Sequence, residues 1–118
     1  MRVVLVGAGN VATRLAFAME KAGMQLGQIY SRSEENACLL GEMIHCEWTA
    51  DVERIMPDGD VYVFAVKDSA LVEVVTNMKS NGGLWIHTSG SMPMGVFDGK
   101  VGHFGVVYPL QTLSLIHI

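Results

Sequence analysis

The chain has 118 residues, enough for one domain with a substantial hydrophobic core but short for a complete two-domain enzyme. Half of the residues are hydrophobic, 17% are charged and the formal net charge is −4, with no block of like charge. This composition argues against a nucleic-acid or anionic-membrane partner and favours small molecules. The mean hydropathy of +0.32 is high for a single small domain, so we expect an apolar surface that a partner covers.

The two cysteines, Cys38 and Cys46, predict neither a zinc site nor a disulfide framework, because no second pair or His-x-x-His spacing accompanies them. No apolar run approaches the roughly 18 residues of a membrane span. The first strand pattern begins at Arg2 rather than with the apolar core of a signal peptide. We therefore expect a reduced, cytoplasmic protein without a bound metal.

The chain begins with a strand, a glycine turn and a helix. Residues 2–6 form an apolar run that is typical of a buried strand. The apolar residues Val11, Leu15, Met19 and Ala22 are then spaced as in a helix. Gly23 is a natural end for that helix. This order is typical of the start of an α/β fold.

The next segment repeats the alternation. Residues 26–30 predict a second strand, and Ser33 is placed to cap a helix with two glutamates in its first turn. The buried side of that helix is expected at Ala37, Leu40 and Ile44. Residues 46–49 predict a third strand, and residues 51–56 predict a short helix that ends at Pro57.

The second half of the chain contains the clearest strand. Residues 61–66 read VYVFAV, and Asp68 then caps a helix with apolar positions at Leu71, Val74, Val75 and Met78. We predict that this helix ends at residues 81–83, with a fifth strand over residues 84–88 and a sixth over residues 101–108. Strands that alternate with helices imply parallel pairing and right-handed crossovers. The sequence therefore predicts a doubly wound α/β sheet, the Rossmann fold, with strand order 3-2-1-4-5-6.

The turn after the first strand carries the first functional signal. The pattern G-x-G-x-x-A is formed by Gly7, Ala8, Gly9, Asn10, Val11 and Ala12. Gly7 permits the tight turn, Gly9 lets a pyrophosphate approach the backbone, and Ala12 lets helix and strand pack closely. The N–H groups and dipole at the helix start favour phosphates. We interpret the segment as a dinucleotide-binding turn; the alternative is a turn whose glycines only relieve crowding.

The end of the second strand indicates which dinucleotide binds. An NAD site normally has an acidic residue there, about 20 positions after the turn, that binds the ribose 2′-hydroxyl. Here Tyr30 is followed by Ser31, Arg32 and Ser33, and the arginine offers charge-assisted hydrogen bonds to a 2′-phosphate. NADP is therefore favoured over NAD. The alternative is a solvated turn in which Ser33 caps the helix and Arg32 binds nothing.

Polar residues also follow the fourth and fifth strands, at the sheet edge where ligands bind in open parallel sheets. Lys67 follows the fourth strand and is either a cofactor contact or a lysine that is simply exposed to solvent. His87 either transfers protons, as an ordinary pKa near 6.5 would allow, or only makes local hydrogen bonds. No G-x-S-x-G elbow surrounds Ser89 or Ser91, which argues against acyl transfer. We interpret His103 as structural.

Five segments of the chain resemble a known family: VVLVGAGNVATRLA, IYSRS, VFAVKD, WIHTSGS and GVVYPLQT. Together they resemble the N-terminal Rossmann domain of bacterial Rossmann-like oxidoreductases that carry an uncharacterised helical C-terminal domain. Those proteins are similar to pyrroline-5-carboxylate reductase and to NADP-dependent oxidoreductases of the deazaflavin-coenzyme group. HTSGS and YPLQT are more specific than the glycine turn.

The resemblance implies roles for individual residues. It implies cofactor contacts along the glycine turn and after the second and fourth strands, at Gly7, Ala8, Gly9, Asn10, Val11, Ser31, Arg32, Ser33, Ala65, Val66 and Lys67. At the nicotinamide end it adds His87 and Thr88 for the cofactor, and Ser89, Gly90 and Tyr108 for the substrate. No catalytic residue is assigned.

The resemblance also implies a domain plan. Residues 1–112 match the NAD(P)-binding domain, whereas residues 113–118, LSLIHI, depart from the family and are expected to be a truncated or foreign tail. The relatives continue into a helical domain that closes the cleft and builds a homodimer. Since that domain is missing here, we expect this fragment to bind cofactor without turnover.

The leading hypothesis is an NADP-dependent oxidoreductase that exchanges hydride with a small carbonyl or imine compound. One alternative is a non-catalytic Rossmann module that senses the nucleotide or supports an assembly. Another is a nucleotide or S-adenosylmethionine site unrelated to redox chemistry, which would leave Arg32 without a 2′-phosphate to bind.

Overall fold

A computed structural model of the chain describes residues 2–78, 83–87 and 104–106. The strands in these ranges are β1 (Arg2–Val6), β2 (Gln25–Tyr30), β3 (Glu47–Thr49), β4 (Val61–Phe64), β5 (Leu84–His87) and β6 (Phe104–Val106). The helices are α1 (Asn10–Lys21), α2 (Glu34–Ile44) and α3 (Asp68–Asn77), with a 3₁₀ turn at Val52–Arg54.

The strands form one parallel sheet in the order β3-β2-β1-β4-β5-β6, which confirms the predicted Rossmann fold and strand order. The register aligns the carboxyl ends, since Val6 pairs with Tyr30 on one side and with Phe64 on the other. The loops after β1, β2 and β4 therefore leave the sheet at the same edge. Winding reverses between β1 and β4, and ligands bind in open α/β sheets at such a reversal.

Both faces of the sheet are covered, which explains the continuous apolar strand patterns. Side chains alternate along β1, so that Val3 and Leu5 pack with α1 and α2, whereas Val4 and Val6 pack with α3. All four valine and leucine side chains are fully buried. The glycine turn that follows β1 is thus attached to the most buried strand described.

Helix α2 matches its prediction closely. Ser33 occupies the N-cap and its Oγ accepts a hydrogen bond from Asn36 N at 3.3 Å, with Glu34 and Glu35 in the first turn. The predicted buried positions Ala37, Leu40 and Ile44 are buried. In α1 the buried residues are Ala12, Leu15, Ala16 and Met19, which include two of the four apolar positions at helical spacing, whereas Val11 is 43% exposed.

Two predictions around β4 were wrong in detail. The strand ends at Phe64 rather than at residue 66, so Ala65 and Val66 belong to the loop. Asp68 is not the cap of α3 but its first helical residue, and Lys67 occupies the cap position with extended backbone (φ −63°, ψ 154°). Residues 65–67 therefore form a loop between β4 and α3, at the carboxyl edge of the sheet.

The predicted helix over residues 51–56 was also wrong, because this segment forms only the single 3₁₀ turn. Asp51 caps that turn by accepting a hydrogen bond from Glu53 N at 2.9 Å. Ile55 is already extended (ψ 127°), and Met56 precedes a proline, which disfavours helical backbone at that position.

The predicted end of α3 at residues 81–83 was wrong, because the helix ends at Asn77 and its C-cap Met78 has extended backbone (ψ 146°). Residues 79–82, His103 and residues 113–118 lie outside the described residues. Within the described part of the chain, no helix combines the length and the hydropathy that a membrane span requires.

Candidate functional site

A cleft of about 630 Å³ opens at the carboxyl edge of the sheet, at the point where the winding reverses. The loops after β1, β2 and β4 and the first turns of the three helices build its walls. Its lining residues are Gly7, Ala8, Gly9, Asn10, Val11, Tyr30, Ser31, Arg32, Ser33, Asn36, Ala65, Val66, Lys67, Ala70 and Val74.

Gly7 forms the tight part of the turn. Its φ of +128° lies in a region that side chains rarely adopt, and a Cβ added there would lie 2.4 Å from the carbonyl oxygen of Ala65. Gly7 N also donates a hydrogen bond to Tyr30 O at 2.6 Å. The turn is therefore fixed between the ends of β2 and β4, and only glycine fits.

Gly9 has the opposite surroundings. Its backbone is extended (φ −82°, ψ −163°) at the N-cap of α1, and an added Cβ would meet no atom within 4 Å. Open space thus lies against exposed backbone, where a pyrophosphate could approach. Since any side chain at this position would reach into that space, this geometry fits the dinucleotide that the glycine pattern predicts.

The start of α1 is suited to an anion. Gly9 has no side chain to cap the helix, and the first turn of α1 contains no acidic residue. The first intrahelical hydrogen bond at this end runs from Thr13 N to Gly9 O at 2.9 Å, so the preceding N–H groups lack intrahelical partners. These groups and the positive end of the helix dipole favour phosphate binding. Helix α2 differs, because Ser33 and two glutamates already occupy its start.

Arg32 lies on the β2 side of the cleft. Its side chain is 70% exposed, and its Nη1 lies 3.0 Å from Oε2 of Glu73 on α3. Two serines shape the loop around it, since Ser33 N donates to Ser31 Oγ at 3.2 Å and Ser31 N donates to Thr49 O at 3.1 Å. The guanidinium is therefore held at the cleft by a short, hydrogen-bonded loop and remains open to solvent.

Tyr30 forms part of the cleft wall and is only 6% exposed. Burial raises the pKa of its hydroxyl above the ordinary value; the charge of Arg32 opposes this effect, and Glu73 and Asp51 add to it. The hydroxyl therefore stays protonated at neutral pH. The charges of Arg32, Glu73 and Asp51 therefore all act on the Tyr30 hydroxyl.

The structure brings eleven of the predicted cofactor residues to this one cleft, namely all those in the glycine turn and after β2 and β4. His87 is placed differently: it ends β5 beside Phe64, is fully buried and does not line the cleft. Thr88, Ser89, Gly90 and Tyr108 lie outside the described residues. The binding roles of all these residues stay predictions.

Sequence reasoning missed four lining residues, Tyr30, Asn36, Ala70 and Val74. Asn36 follows the Ser33 cap by one helical turn, and Ala70 and Val74 stand four residues apart on α3, so they share a face. Tyr30 is the last residue of β2, and the other three lie within the first two turns of helices that begin at the crevice, so their proximity to these loops was the available signal. Val74 packs in the core, as predicted, and also lines the cleft.

A second, more open groove of about 830 Å³ lies along α2 and β3, lined by Gln28, Gly41, Glu42, His45, Cys46, Glu47 and Trp48. Burial, reinforced by the charge of Glu47, raises the pKa of the Cys46 thiol to about 11. A thiol of that pKa is almost wholly protonated at neutral pH and is a poor nucleophile. Among the residues that the structure describes, no group of three or more His, Cys, Asp or Glu side chains could hold a metal ion.

Comparisons with known proteins agree with this geometry. The profile of the family described as NADP oxidoreductase, coenzyme F420-dependent, matches residues 2–89, which is most of the chain. The search of curated proteins gave no match. The family description names NADP, the cofactor predicted from the second strand, together with coenzyme F420.

Solved structures share the fold. A candidate NADP oxidoreductase from Bacteroides fragilis is 42% identical with a TM-score of 0.84, and the match covers 94% of this chain but 44% of that one. This chain therefore spans less than half the length of that relative.

Two further structures, a pyrroline-5-carboxylate reductase from Coxiella burnetii and a biliverdin reductase from Synechocystis solved with biliverdin and NADP+, have TM-scores of 0.71 and 0.70. Their identities are 19% and 17%, and the matches cover 85% and 89% of this chain and 39% and 37% of theirs, so they show the fold alone. With its Rossmann strand order and a profile match over most of its length, the chain belongs to the coenzyme F420-dependent NADP oxidoreductase family.

Proposed function

We propose that this chain is the NADP-binding domain of an oxidoreductase that transfers hydride between the nicotinamide ring and a small carbonyl or imine substrate. The observation that carries the proposal is the juxtaposition, in one cleft, of the open backbone at Gly9 and the guanidinium of Arg32. The first feature suits the diphosphate that bridges the two nucleosides of NADP, and the second suits the 2′-phosphate that NAD lacks.

The diphosphate is assigned to Gly9 and to the first turn of α1. Exposed N–H groups and a helix dipole supply the favourable charge, and the missing side chain supplies the room. Asn10 and Val11 are both exposed along the same edge, so they border this part of the cleft. Bound NADPH would supply the hydride, and the residues of this chain would bind and orient it.

The 2′-phosphate is assigned to Arg32 with Ser31 and Ser33. A guanidinium can donate two parallel hydrogen bonds to a phosphate, and the serine hydroxyls flank it. None of the three residues carries the carboxylate that would bind the 2′-hydroxyl of NAD. Residues 65–67 form the wall opposite, across the sheet reversal.

The rest of the enzyme is also part of the proposal. The chain spans 44% of the Bacteroides fragilis relative, which supports a further domain in the complete protein. We assign to that domain the closure of the substrate pocket and a homodimer contact, and we keep Thr88, Ser89, Gly90 and Tyr108 as the residues at the nicotinamide end. His87, being fully buried, is kept there without a proton-transfer role.

Calorimetric titration of this chain with NADPH and NADH tests the cofactor assignment. We expect NADPH to bind at least about tenfold more tightly, because only NADPH offers a phosphate to Arg32. Absence of binding, or a preference for NADH, would refute the proposal.

Hydride transfer is tested separately on a protein that includes the downstream domain. The loss of NADPH absorbance is followed with a panel of imines, ketones and hydroxy acids, and with NADP+ for the reverse direction. Tight NADPH binding without turnover of any compound would instead favour a non-catalytic nucleotide-sensing module.

A further inference from the structure

Arg32 is paired with an acid from a distant part of the chain. Its Nη1 lies 3.0 Å from Glu73 Oε2, and the two residues are 41 positions apart, one in the loop after β2 and the other on α3. Their side chains are 70% and 55% exposed. Exposed ion pairs contribute little to stability, so this pair opens readily when a stronger partner for the arginine arrives.

Glu73, rather than the neighbouring Asp51, is the acid that holds Arg32. Both line a hollow of about 310 Å³ that adjoins the cleft through Tyr30, Arg32 and Val74. The carboxylate of Asp51 is engaged elsewhere, since it accepts a hydrogen bond from Glu53 N at 2.9 Å and lies 3.7 Å from Arg54 Nε. Within the described ranges Glu73 is the sole ion-pair partner of Arg32.

We propose that Glu73 is a specificity-determining residue, an internal counterion that competes with the 2′-phosphate of NADP for Arg32 and so limits the preference for NADP over NAD. The inference rests on the proposed function of Arg32. A phosphate and a carboxylate are both anions that bind a guanidinium, and each excludes the other from its best geometry.

The competition acts on NADP and not on NAD. To bind NADP, Arg32 must leave Glu73, and the released carboxylate then lies near a phosphate of the same sign. NAD carries a 2′-hydroxyl instead, which does not demand the guanidinium and is able to donate a hydrogen bond to a carboxylate. Glu73 therefore weakens the binding of one cofactor and leaves that of the other unchanged or slightly stronger.

The test is Glu73→Gln in this chain, a change that removes the charge and nearly preserves the shape. We expect the dissociation constant for NADPH to fall about three- to tenfold, from the loss of an exposed ion pair and of one like-charge repulsion. The constant for NADH should change less than about twofold on the same grounds. Adenosine 2′,5′-bisphosphate and 5′-AMP repeat the comparison without the nicotinamide.

Two further variants isolate the mechanism. Glu20→Gln changes the net charge equally at an exposed position of α1 that does not line the cleft, so it should leave NADPH binding unchanged. In an Arg32→Gln background, Glu73→Gln should gain less for NADPH than it does in the parent, because the pair is already broken.

The outcomes separate this proposal from the proposed function. If the parent chain does not prefer NADPH, the proposed function fails, while a gain for NADPH in Glu73→Gln would still support the counterion. Unchanged or weaker NADPH binding in Glu73→Gln, with an unaltered unfolding midpoint, would overturn the counterion role even where the parent prefers NADPH. An equal gain in Glu20→Gln would overturn it as well.

Discussion

Gly7 lies so close to Ala65 that no side chain fits between the two residues. A Cβ on Gly7 would stand 2.4 Å from the Ala65 carbonyl oxygen, and it would do so at a φ of +128°. Ala65 cannot move aside, because its N–H is held by Val6 O at 2.9 Å, in line with the pairing of β1 and β4. The tight turn of the cleft is therefore fixed by backbone contact and not by side chains.

We predict that Gly7→Ala destabilises the fold severely. The unfavourable φ and the overlap with immobile backbone should together lower the free energy of unfolding by about 2–4 kcal/mol. Urea unfolding followed by circular dichroism measures this directly. A loss below about 1 kcal/mol would mean that the turn can open, and that its geometry is less constrained than the contact with Ala65 implies.

Gly9→Ala is the matched control for stability and the sharper test of binding. Since an added Cβ at Gly9 meets no atom within 4 Å and φ is −82°, the fold should be retained. The poorer helix cap should cost at most about 1 kcal/mol. Calorimetry should nevertheless find NADPH binding at least about tenfold weaker, because the methyl group occupies the space assigned to the diphosphate. Unaltered affinity would place the diphosphate elsewhere.

The parts of this fold that could be predicted are those fixed by local chemistry. Ser33 is recognisable as a cap because a serine accepts a hydrogen bond from a first-turn N–H and the two glutamates that follow suit the positive end of the helix dipole. The strand order followed from the alternation of strands and helices and from crossover handedness. The glycine turn was recognisable because all of its small residues lie within the six positions of residues 7–12.

The parts that could not be predicted depend on contacts between distant segments. Glu73 reaches Arg32 from 41 positions away, and nothing in its own surroundings distinguishes it from any exposed helical glutamate. Val11 shares the helical spacing of the buried Leu15 and Met19, yet it is exposed and lines the cleft, and the spacing alone does not reveal this difference. A pattern of polar and apolar residues does not separate a core-facing position from one that faces a ligand.

We predict that the stability of the chain falls between pH 9 and pH 11 through Cys46. The folded-state pKa of this thiol is about 11, raised from 9.0 mainly by burial. The folded state thus holds the thiol proton more tightly, so this contribution is complete below pH 9 and is lost as the pH rises through about 11.

Urea unfolding of the parent chain and of Cys46→Ala at several pH values measures this contribution. The difference in free energy of unfolding between the two should stay constant up to pH 9 and then shrink toward pH 11, the window set by the raised pKa. Taking the difference cancels tyrosine ionisation, to which Tyr30 and Tyr62 contribute with raised pKa values. A difference that stays constant across the whole range would contradict the prediction.

Arg32→Gln should remove the discrimination between the two cofactors. Loss of charge-assisted hydrogen bonds to the 2′-phosphate is expected to weaken NADPH binding about 10- to 100-fold, while NADH binding changes little. Arg32→Lys keeps the charge but not the planar pair of donors, so its NADPH affinity should be intermediate. Because the pair with Glu73 is exposed, the free energy of unfolding should change by less than about 1 kcal/mol.

Arg14→Gln, at an exposed position of α1 that does not line the cleft, is the control for net charge. An equal loss of both cofactors in Arg32→Gln would show that the arginine supports the cleft rather than reading the 2′-phosphate, and the assignment of NADP to this loop would then be wrong.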